Sequence, residues 1–279
     1  MERIPGLATA RPSRDHESVD DEAVVRVLAA ADAAQSLPRL GGMARPDGVA
    51  IVSERVWCFS RTDGGPVSVR AMPQVRSRAA RLPFLRGLVK LGAALVPMFA
   101  RGAAARPRER LLLLAVLVAP IPLLAVPAAY RTVALAVVTA AVIVFMFRGR
   151  TLKLHGAEHR AIAAAEARSL VATWRGETRP SRFSPRCGTN FAALMIAVSV
   201  LLERVWVLPT AALTPVFVTL LSLMITMEIW LAAQRSARRL ARLVLWPGLL
   251  LQRLTTREPT IDETRVALRA VAAVLAADR

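Results

Sequence analysis

The sequence predicts a mainly α-helical membrane protein with four transmembrane helices in two hairpins, interfacial amphipathic helices and a small cytosolic β element near the N-terminus. Three observations lead to this fold class. Apolar residues make up 54% of the 279-residue chain, a high share for a soluble protein. Long apolar runs occur in pairs, within residues 111–147 and 191–234. Lysine and arginine are concentrated in the segments that flank these pairs.

Residues 1–40 are predicted to be a polar tail followed by a short amphipathic helix. The tail lacks the apolar core of a signal peptide, so we expect no cleaved leader. We expect His16, in this tail, to be solvated. Asp20 is a candidate N-cap for a helix over residues 21–36, whose first turn is acidic.

Residues 41–82 form the β-like region of the sequence. Three short strands are predicted at residues 49–52, 56–61 and 67–72, where β-branched and aromatic residues recur. The sequence Asp-Gly-Gly at positions 63–65 is a hairpin signal between the last two strands. A cytosolic sheet of this size needs a neighbour to pack against, because isolated hairpins are marginally stable.

Residues 83–110 are predicted to form an interfacial amphipathic helix followed by a basic stop. The apolar run at positions 83–100 carries Arg86 and Lys90, which favours a helix lying in the membrane surface. A partly tilted span is the alternative. Four arginines then follow within residues 101–110.

The first transmembrane hairpin is predicted at residues 111–147, where only Arg131 separates two apolar runs. Each run approaches the roughly 20 residues that a spanning helix needs. Pro120 and Pro122 should kink the first helix, which a helix bundle tolerates. A re-entrant pair that does not cross the membrane is the alternative.

The second hairpin is predicted at residues 191–234, and residues 235–279 follow it as a basic amphipathic segment and a C-terminal helix. The amphipathic segment is interrupted at Pro247-Gly248. The terminal helix is predicted to begin near Asp262.

The distribution of positive charge predicts the topology. Of 38 lysines and arginines, 18 lie in residues 1–110, and 9 lie in each of the segments 148–190 and 235–279. Only Arg131 and Arg204 lie between paired runs. The positive-inside rule therefore places both termini and the central segment in the cytoplasm of an inner-membrane, multi-pass protein.

The same distribution bears on partners. Basic segments beside a bilayer are attracted to anionic lipid head groups by roughly 1 kcal/mol per residue near the surface. This accounts for the net charge of +18 without nucleic acid, and no aromatic platform for single strands is visible. A second copy of the chain or another membrane protein remains open as a partner.

The central segment, residues 148–190, is predicted to be a polar, basic cytoplasmic loop, and it carries the motif His155-Gly156-Ala157-Glu158-His159. The two histidines are four residues apart, so on a helix both imidazoles share one face with the carboxylate between them. The pattern matches the inverted zinc-peptidase motif, in which the histidines bind metal and the glutamate is a general base toward water. A cluster on a helix surface at the membrane boundary is the alternative.

Two residues are candidates for a third metal ligand. Glu166 follows His159 by seven residues and shares its face on a continuous helix. Cys187 offers a thiolate, which suits zinc together with imidazole.

Cys187 also has two other interpretations. Arg186 beside it could lower the pKa of the thiol and make it reactive. Alternatively, the segment is a loop that caps the following helix, with Thr189 or Asn190 at the N-cap. We expect both cysteines of the chain, Cys58 and Cys187, to be free, because two are too few for a disulfide framework.

Glu228 lies within the last apolar run. An ionisable side chain in a membrane helix usually faces a site or the interior of a bundle, so Glu228 could support the coordination shell. It lies close to the predicted cytoplasmic end of the span, and snorkelling to the interface is the alternative.

Taken together, these motifs resemble the YqhQ-like family, bacterial membrane proteins of unknown function described as predicted metal-dependent enzymes. The resemblance begins at about Gly41 and runs to the C-terminus. The matching segments are Gly41-Gly42 with Asp47-Gly48-Val49, Pro83-Phe84-Leu85-Arg86-Gly87, the His155–His159 motif with Glu166, Pro185-Arg186-Cys187-Gly188-Thr189, Pro247-Gly248-Leu249 and Leu254-Thr255-Thr256-Arg257-Glu258-Pro259.

The resemblance implies a shared polar site, and this chain departs from the family pattern at two positions. Ser184 stands where the family usually has a histidine, and Asp47 where it usually has a glutamate. Glu228 falls where the family carries a glutamate in its last span. If the missing histidine is a ligand in the family, Cys187, Glu166 and Glu228 would have to complete the site.

The leading hypothesis is a hydrolase that depends on zinc or another divalent metal and works at the cytoplasmic membrane face. His155 and His159 are the expected ligands, Glu158 is the general base, and Cys187 or Glu166 is the third ligand. Arg186, Thr189 and Glu228 are expected to support them. The competing hypothesis is a membrane scaffold or adaptor in which the same residues form a hydrogen-bonded structural cluster. The sequence does not identify a substrate.

Overall fold

A computed structural model describes residues 21–72, 81–99, 149–206, 214–235 and 239–278, with single positions between residues 107 and 144. The chain divides into two compact units. The first unit comprises Met1–Gln74, Gly149–Asn190 and Leu249–Arg279, and the second comprises Val75–Arg148 and Phe191–Gly248. The helices are numbered here in chain order: α1 (Asp21–Asp32), α2 (Leu85–Phe99), α3 (Arg150–Glu166), α4 (Leu170–Arg175), α5 (Gly188–Val205), α6 (Thr214–Arg235), α7 (Arg239–Thr255) and α8 (Ile261–Ala277).

The first unit contains a four-stranded antiparallel sheet in the order β1-β2-β3-β4. Its strands are Gly41–Arg45 (β1), Gly48–Val52 (β2), Val56–Arg61 (β3) and Ser68–Ala71 (β4). The small N-terminal sheet predicted from the sequence is therefore confirmed, with one more strand than expected. The additional strand, β1, begins with two glycines and has no β-branched residue, so it carries no strand signal of its own.

Helices from two distant parts of the chain cover this sheet. α8 packs on β2 and β3, α3 packs on β1 and α8, and α1 packs on α4 and α8. The resulting core contains Leu28, Val49, Ile51, Leu154 and Leu268, none of which is measurably exposed. The expectation that the sheet needs a neighbour is thus met by helices more than 75 residues further along the chain.

The C-terminal helix α8 has strong local signals at its start. Thr260 is the N-cap, and it forms a reciprocal capping box with Glu263. The predicted start near Asp262 agrees with the observed start at Ile261. The central segment, in contrast, is more regular than a loop, because α3 and α4 occupy most of residues 150–175.

In the second unit, α2 packs on α6. A Cβ added to Gly87 would lie 2.5 Å from Cγ of Met227, so glycine permits this close approach. Glu228 accepts hydrogen bonds from the backbone N–H of Phe84, at 3.0 Å, and from the guanidinium of Arg86. The helix predicted at residues 83–100 is therefore present and is fastened to α6 by this ion pair.

Two of the helices in the described part of the chain are long and apolar enough to cross a membrane. They are α5, over its full length Gly188–Val205, and α6, over Val216–Gln234. Both lie within or next to the second predicted hairpin. The first predicted hairpin, residues 111–147, falls largely outside the described residues.

Candidate metal centre

The motif His155-Gly156-Ala157-Glu158-His159 lies in the middle of α3, which is covered by protein around most of its circumference. The exposed fractions of His155, Glu158 and His159 are 6%, 5% and 2%. The alternative of a cluster on a helix surface is therefore wrong. The burial of these side chains comes from the tertiary structure, because α8 and β1, which pack against α3, come from opposite ends of the chain.

Cys187 meets the two histidines from the segment that precedes α5. Its Sγ lies 3.3 Å from Nε2 of His155, and the imidazole rings are 4.4 Å apart between centroids. One ligand atom from each of the three residues lies within 4.8 Å of the other two. In tetrahedral zinc sites, with Zn–N of about 2.0 Å and Zn–S of about 2.3 Å, neighbouring N and S atoms are about 3.5 Å apart. The donor types therefore suit a metal ion, whereas separations of up to 4.8 Å are wider than those around a bound zinc ion.

Both imidazoles are oriented by backbone carbonyl groups. Nδ1 of His155 lies 2.8 Å from the carbonyl oxygen of Thr255, and Nδ1 of His159 lies 2.7 Å from that of Arg182. A carbonyl can only accept, so each Nδ1 carries the proton and each Nε2 keeps its lone pair. Metal-binding histidines are held in this way in known sites, where the second nitrogen donates to a carbonyl or carboxylate.

Burial sets the protonation states of the three candidate ligands. It lowers the pKa of His155, and together with the nearby His155 ring it lowers the pKa of His159 to about 3. Both imidazoles are therefore neutral at pH 7, as metal binding requires. Burial and the charge of Glu158 raise the pKa of Cys187 to about 11. The alternative in which Arg186 lowers the pKa of this thiol is thus wrong, because desolvation dominates.

Glu158 is directed toward the sheet. A Cβ on Gly42 in β1 would lie 2.7 Å from Cγ of Glu158, so the glycine makes room for this side chain. Glu158 has no hydrogen-bond or ion-pair partner among the residues that the structure describes. Burial raises its pKa to about 8, so the metal-free protein holds a proton on this carboxyl at neutral pH.

Glu166 and Thr189 are not among the three residues whose ligand atoms converge. Glu166 shares a face of α3 with His155 but lies about 16 Å further along the axis, because each residue rises by 1.5 Å. It forms an ion pair with Arg186 at the exposed end of the helix. Thr189 donates to Sγ of Cys187 from its hydroxyl, at 3.3 Å, and from its backbone N–H, at 3.5 Å. Glu228 belongs to the second unit, where it binds Arg86.

Sequence reasoning missed the residues that orient the ligands. Thr255 and Arg182 hold the two imidazoles through backbone carbonyls, which any residue type provides, so these contacts leave no side-chain signature. Gln252 is fully buried and binds both backbone groups of Ser184. The one available signal was the resemblance over Leu254–Pro259, to which no role was attached.

α3 also contacts the segment after α7 closely. The backbone N–H of Arg257 donates to the carbonyl of Leu152 at 2.9 Å. A Cβ on Gly156 would lie 2.3 Å from the carbonyl oxygen of Arg257. The glycine of the motif is therefore required by packing, whatever the chemistry of the histidines beside it.

Replacing Gly156 with alanine is expected to lower the free energy of unfolding by about 1–3 kcal/mol, because the added methyl group displaces backbone. Thermal unfolding of the full chain in detergent measures this. The matched control is Gly92→Ala in α2, where a Cβ meets nothing within 4 Å and the stability should be unchanged or slightly higher. Equal unfolding temperatures for the two variants would contradict the close approach.

The fold and the site define a class: a largely helical protein with two helices apolar enough to span a membrane and a buried His-His-Cys cluster that can bind a metal. Within this class, the chain belongs to the family described as Protein of unknown function (DUF1385), whose model matches residues 110–277. That match includes all three residues of the cluster and excludes the sheet.

The chain is also similar to the Uncharacterized protein YqhQ of Bacillus subtilis (strain 168). The two are 33% identical over 129 residues, which is 43% of this chain and 38% of that relative. The resemblance to the YqhQ-like family is therefore confirmed, although this chain covers well under half of the relative's length. No solved structure matches the chain.

Proposed function

We propose that this protein is a membrane-bound, zinc-type hydrolase whose centre is formed by His155, His159 and Cys187. The observation that carries the proposal is the orientation of the two imidazoles. Each Nδ1 is engaged by a backbone carbonyl, while one ligand atom from each histidine converges with Sγ of Cys187. Metal binding requires two neutral imidazoles to be fixed side by side, as they are in this buried site. A purely hydrogen-bonded role would not require that arrangement.

Three candidate ligands converge among the residues that the structure describes, and this number favours catalysis over a purely structural ion. Structural zinc sites usually have four protein ligands, whereas catalytic sites have three and one open position. Zinc bound in such a site supplies a Lewis acid and an activated water near neutral pH. Glu158 would accept the proton from that water, and a nearby dication would favour its carboxylate form over the neutral form found in the metal-free protein.

The supporting residues have structural roles in this proposal. The ion pair of Glu166 with Arg186 ties the end of α3 to the residue before Cys187. Thr189 donates to Sγ from the first turn of α5 and would stabilise a thiolate there. Cys187, rather than Glu166, is therefore the third ligand that we propose.

The location at the cytoplasmic membrane face rests on α5 and α6. Only 11% and 28% of their apolar windows are buried inside the protein, whereas the core helix of a soluble protein would be mostly buried. α5 begins directly after Cys187. With the basic flanks, this supports the second hairpin as a pair of spans, cytoplasmic termini and contact with anionic lipids. The four-span arrangement that we propose adds the first hairpin, residues 111–147, from its sequence alone.

A second candidate function is a non-catalytic scaffold in which the cluster is structural. The observation that favours it is the set of direct bonds already present: Cys187 to His155, and His155 to the carbonyl of Thr255. These bonds join three distant parts of the first unit without an ion. The two functions differ in whether the centre binds metal.

The deciding experiment is the metal content of the full chain purified in detergent, measured by mass spectrometry. We expect about one equivalent of zinc or another divalent metal in the wild type and less than about a tenth in His155→Ala, because two ligands do not retain zinc. His16→Ala is the matched control and should keep its metal, since it is the histidine outside the motif. A wild type without metal, prepared without chelators and after zinc is offered, would leave the scaffold as the function.

Zinc binding at pH 7 is expected to release about two protons, one from the thiol of Cys187 and one from the carboxyl of Glu158, whose pKa of about 8 keeps it neutral in the metal-free protein. The imidazoles are already neutral, whereas the thiol of Cys187, with a pKa of about 11, must lose its proton to become a ligand. Calorimetry in two buffers of different ionisation enthalpy measures the number released. Release of three or more would mean that the histidines are charged in the metal-free protein, contrary to the geometry described above.

A further inference from the structure

The outer contacts of all three candidate ligands converge on one short segment, residues 252–256 at the C-terminal end of α7. Thr255 accepts from His155 through its carbonyl. Thr256 accepts from the guanidinium of Arg182 through its carbonyl and its hydroxyl, and the carbonyl of Arg182 accepts from His159. The third connection leads toward Cys187 and is made by a side chain, that of Gln252.

Gln252 binds both backbone groups of Ser184. Its Nε2 donates to the carbonyl of Ser184 at 2.8 Å, and its Oε1 accepts from the N–H of Ser184 at 2.8 Å. The same carbonyl also accepts from Nδ2 of Asn190, at 2.8 Å, and from the N–H of Cys187, at 3.4 Å. The turn that carries Cys187 is therefore held at its first residue by an amide that is 0% exposed.

Ser184 is the position at which the resemblance has a histidine. Here its side chain accepts from the backbone N–H of Arg186 at 3.2 Å, and its backbone groups are bound by Gln252. In this chain, position 184 thus contributes an anchored turn. A primary amide matches that turn because it donates and accepts at once and carries no charge that burial would penalise.

We propose that Gln252 is a positioning residue for the metal ligand Cys187. It acts through Ser184 and does not touch Sγ. This inference rests on the proposed metal centre, although the placement of the thiol can be measured without metal. Loss of the amide leaves the N–H of Ser184 without its partner, removes one of three donors to the carbonyl of Ser184 and frees Cys187 to move away from His155.

The first test is the rate at which maleimide alkylates Cys187 in the metal-free full chain, followed by peptide mass spectrometry. We expect about 10-fold faster alkylation in Gln252→Ala, because local opening exposes the thiol. Gln252→Glu should be intermediate, since the carboxylate keeps the acceptor but loses the donor. Arg253→Ala, an exposed neighbour on the same helix, is the matched control and should react like the wild type.

The second test is zinc affinity by chelator competition, with the spectrum of the cobalt-substituted protein as a geometric readout. Gln252→Ala should bind zinc about 10–100-fold more weakly, as expected for loss of an outer contact. Its sulfur-to-cobalt charge-transfer band should change in intensity, whereas a loss of stability alone would leave the spectrum of the folded protein unchanged.

The outcomes separate this inference from the proposed function. Wild-type zinc affinity, spectrum and alkylation rate in Gln252→Ala would overturn the inference and leave the metal centre intact. A wild type without metal, combined with faster alkylation of Cys187, would overturn the metal centre and leave the positioning of the thiol. If Gln252→Ala does not fold, Gln252→Glu decides in the same assays, and a wild-type result there overturns the inference.

Discussion

Replacing Cys187 with alanine is expected to weaken zinc binding by more than about 100-fold, because a direct ligand contributes more than the 10–100-fold of an outer contact. The two histidines would remain, with their Nδ1 atoms held by Thr255 and Arg182. Two neutral nitrogen ligands lack the charge that a thiolate provides to a divalent ion. Chelator competition measures the affinity, and loss of the sulfur-to-cobalt charge-transfer band identifies the missing ligand.

Cys58→Ala is the matched control for this substitution. Cys58 is fully buried in β3, where desolvation raises the pKa of its thiol to about 12, so it is inert toward metal. The control should keep wild-type zinc affinity and the charge-transfer band. If both cysteine variants keep that band, or if Cys187→Ala retains wild-type affinity, Cys187 is not a ligand and the centre proposed here is incorrect.

Glu158→Gln is expected to stabilise the metal-free protein at pH 8 by an amount on the order of several kcal/mol. In the unfolded chain this carboxyl loses its proton near pH 4.5, whereas in the fold it keeps the proton up to about pH 8. Between these values the unfolded state binds fewer protons, so stability is fully present below about pH 4.5 and is lost as the pH rises through 8. Glutamine has the same shape as the neutral acid and removes this loss.

The measurement is thermal unfolding of the full chain in detergent with a chelator present, at intervals from pH 4.5 to pH 8.5. The two proteins should agree at the acid end and diverge as the pH rises. The histidines provide an internal control, because the lowered pKa of His159 makes stability fall as the pH drops below about 6.5 in both proteins. Parallel curves over the whole range would show that Glu158 is ionised in the fold.

Most of the secondary structure was predictable because its signals are local. β3 is rich in β-branched and aromatic residues, Asp63-Gly64-Gly65 provides a turn, and the C-terminal helix begins with a capping box. β1 was missed because two glycines, Gly41 and Gly42, disfavour a strand. The absence of a side chain at Gly42 leaves room for the side chain of Glu158. Pairing with β2 makes this segment a strand, which is a long-range property of the chain.

The candidate ligands were predictable in part. The spacing of His155 and His159 placed both on one helix face, and the chemistry of thiolate pointed to Cys187. The same reasoning admitted Glu166, because helical periodicity defines a shared face but not a shared depth along the axis. The raised pKa of Cys187 could not be predicted from the sequence either. The neighbouring Arg186 suggested a lowered pKa, whereas the desolvation that raises it comes from the packed structure.

Local sequence patterns were enough to predict the helical class, the small sheet, the apolar runs of α5 and α6 and the pairing of His155 with His159, because each depends on the order of neighbouring residues. The burial of the motif, its contact with Cys187 and the orientation of the ligands by the end of α7 depend on long-range packing and could not be predicted in this way. These contacts join residues 32 to 100 positions apart. They are made through carbonyls, a glycine and one buried amide, and their roles become defined only once the chain has folded.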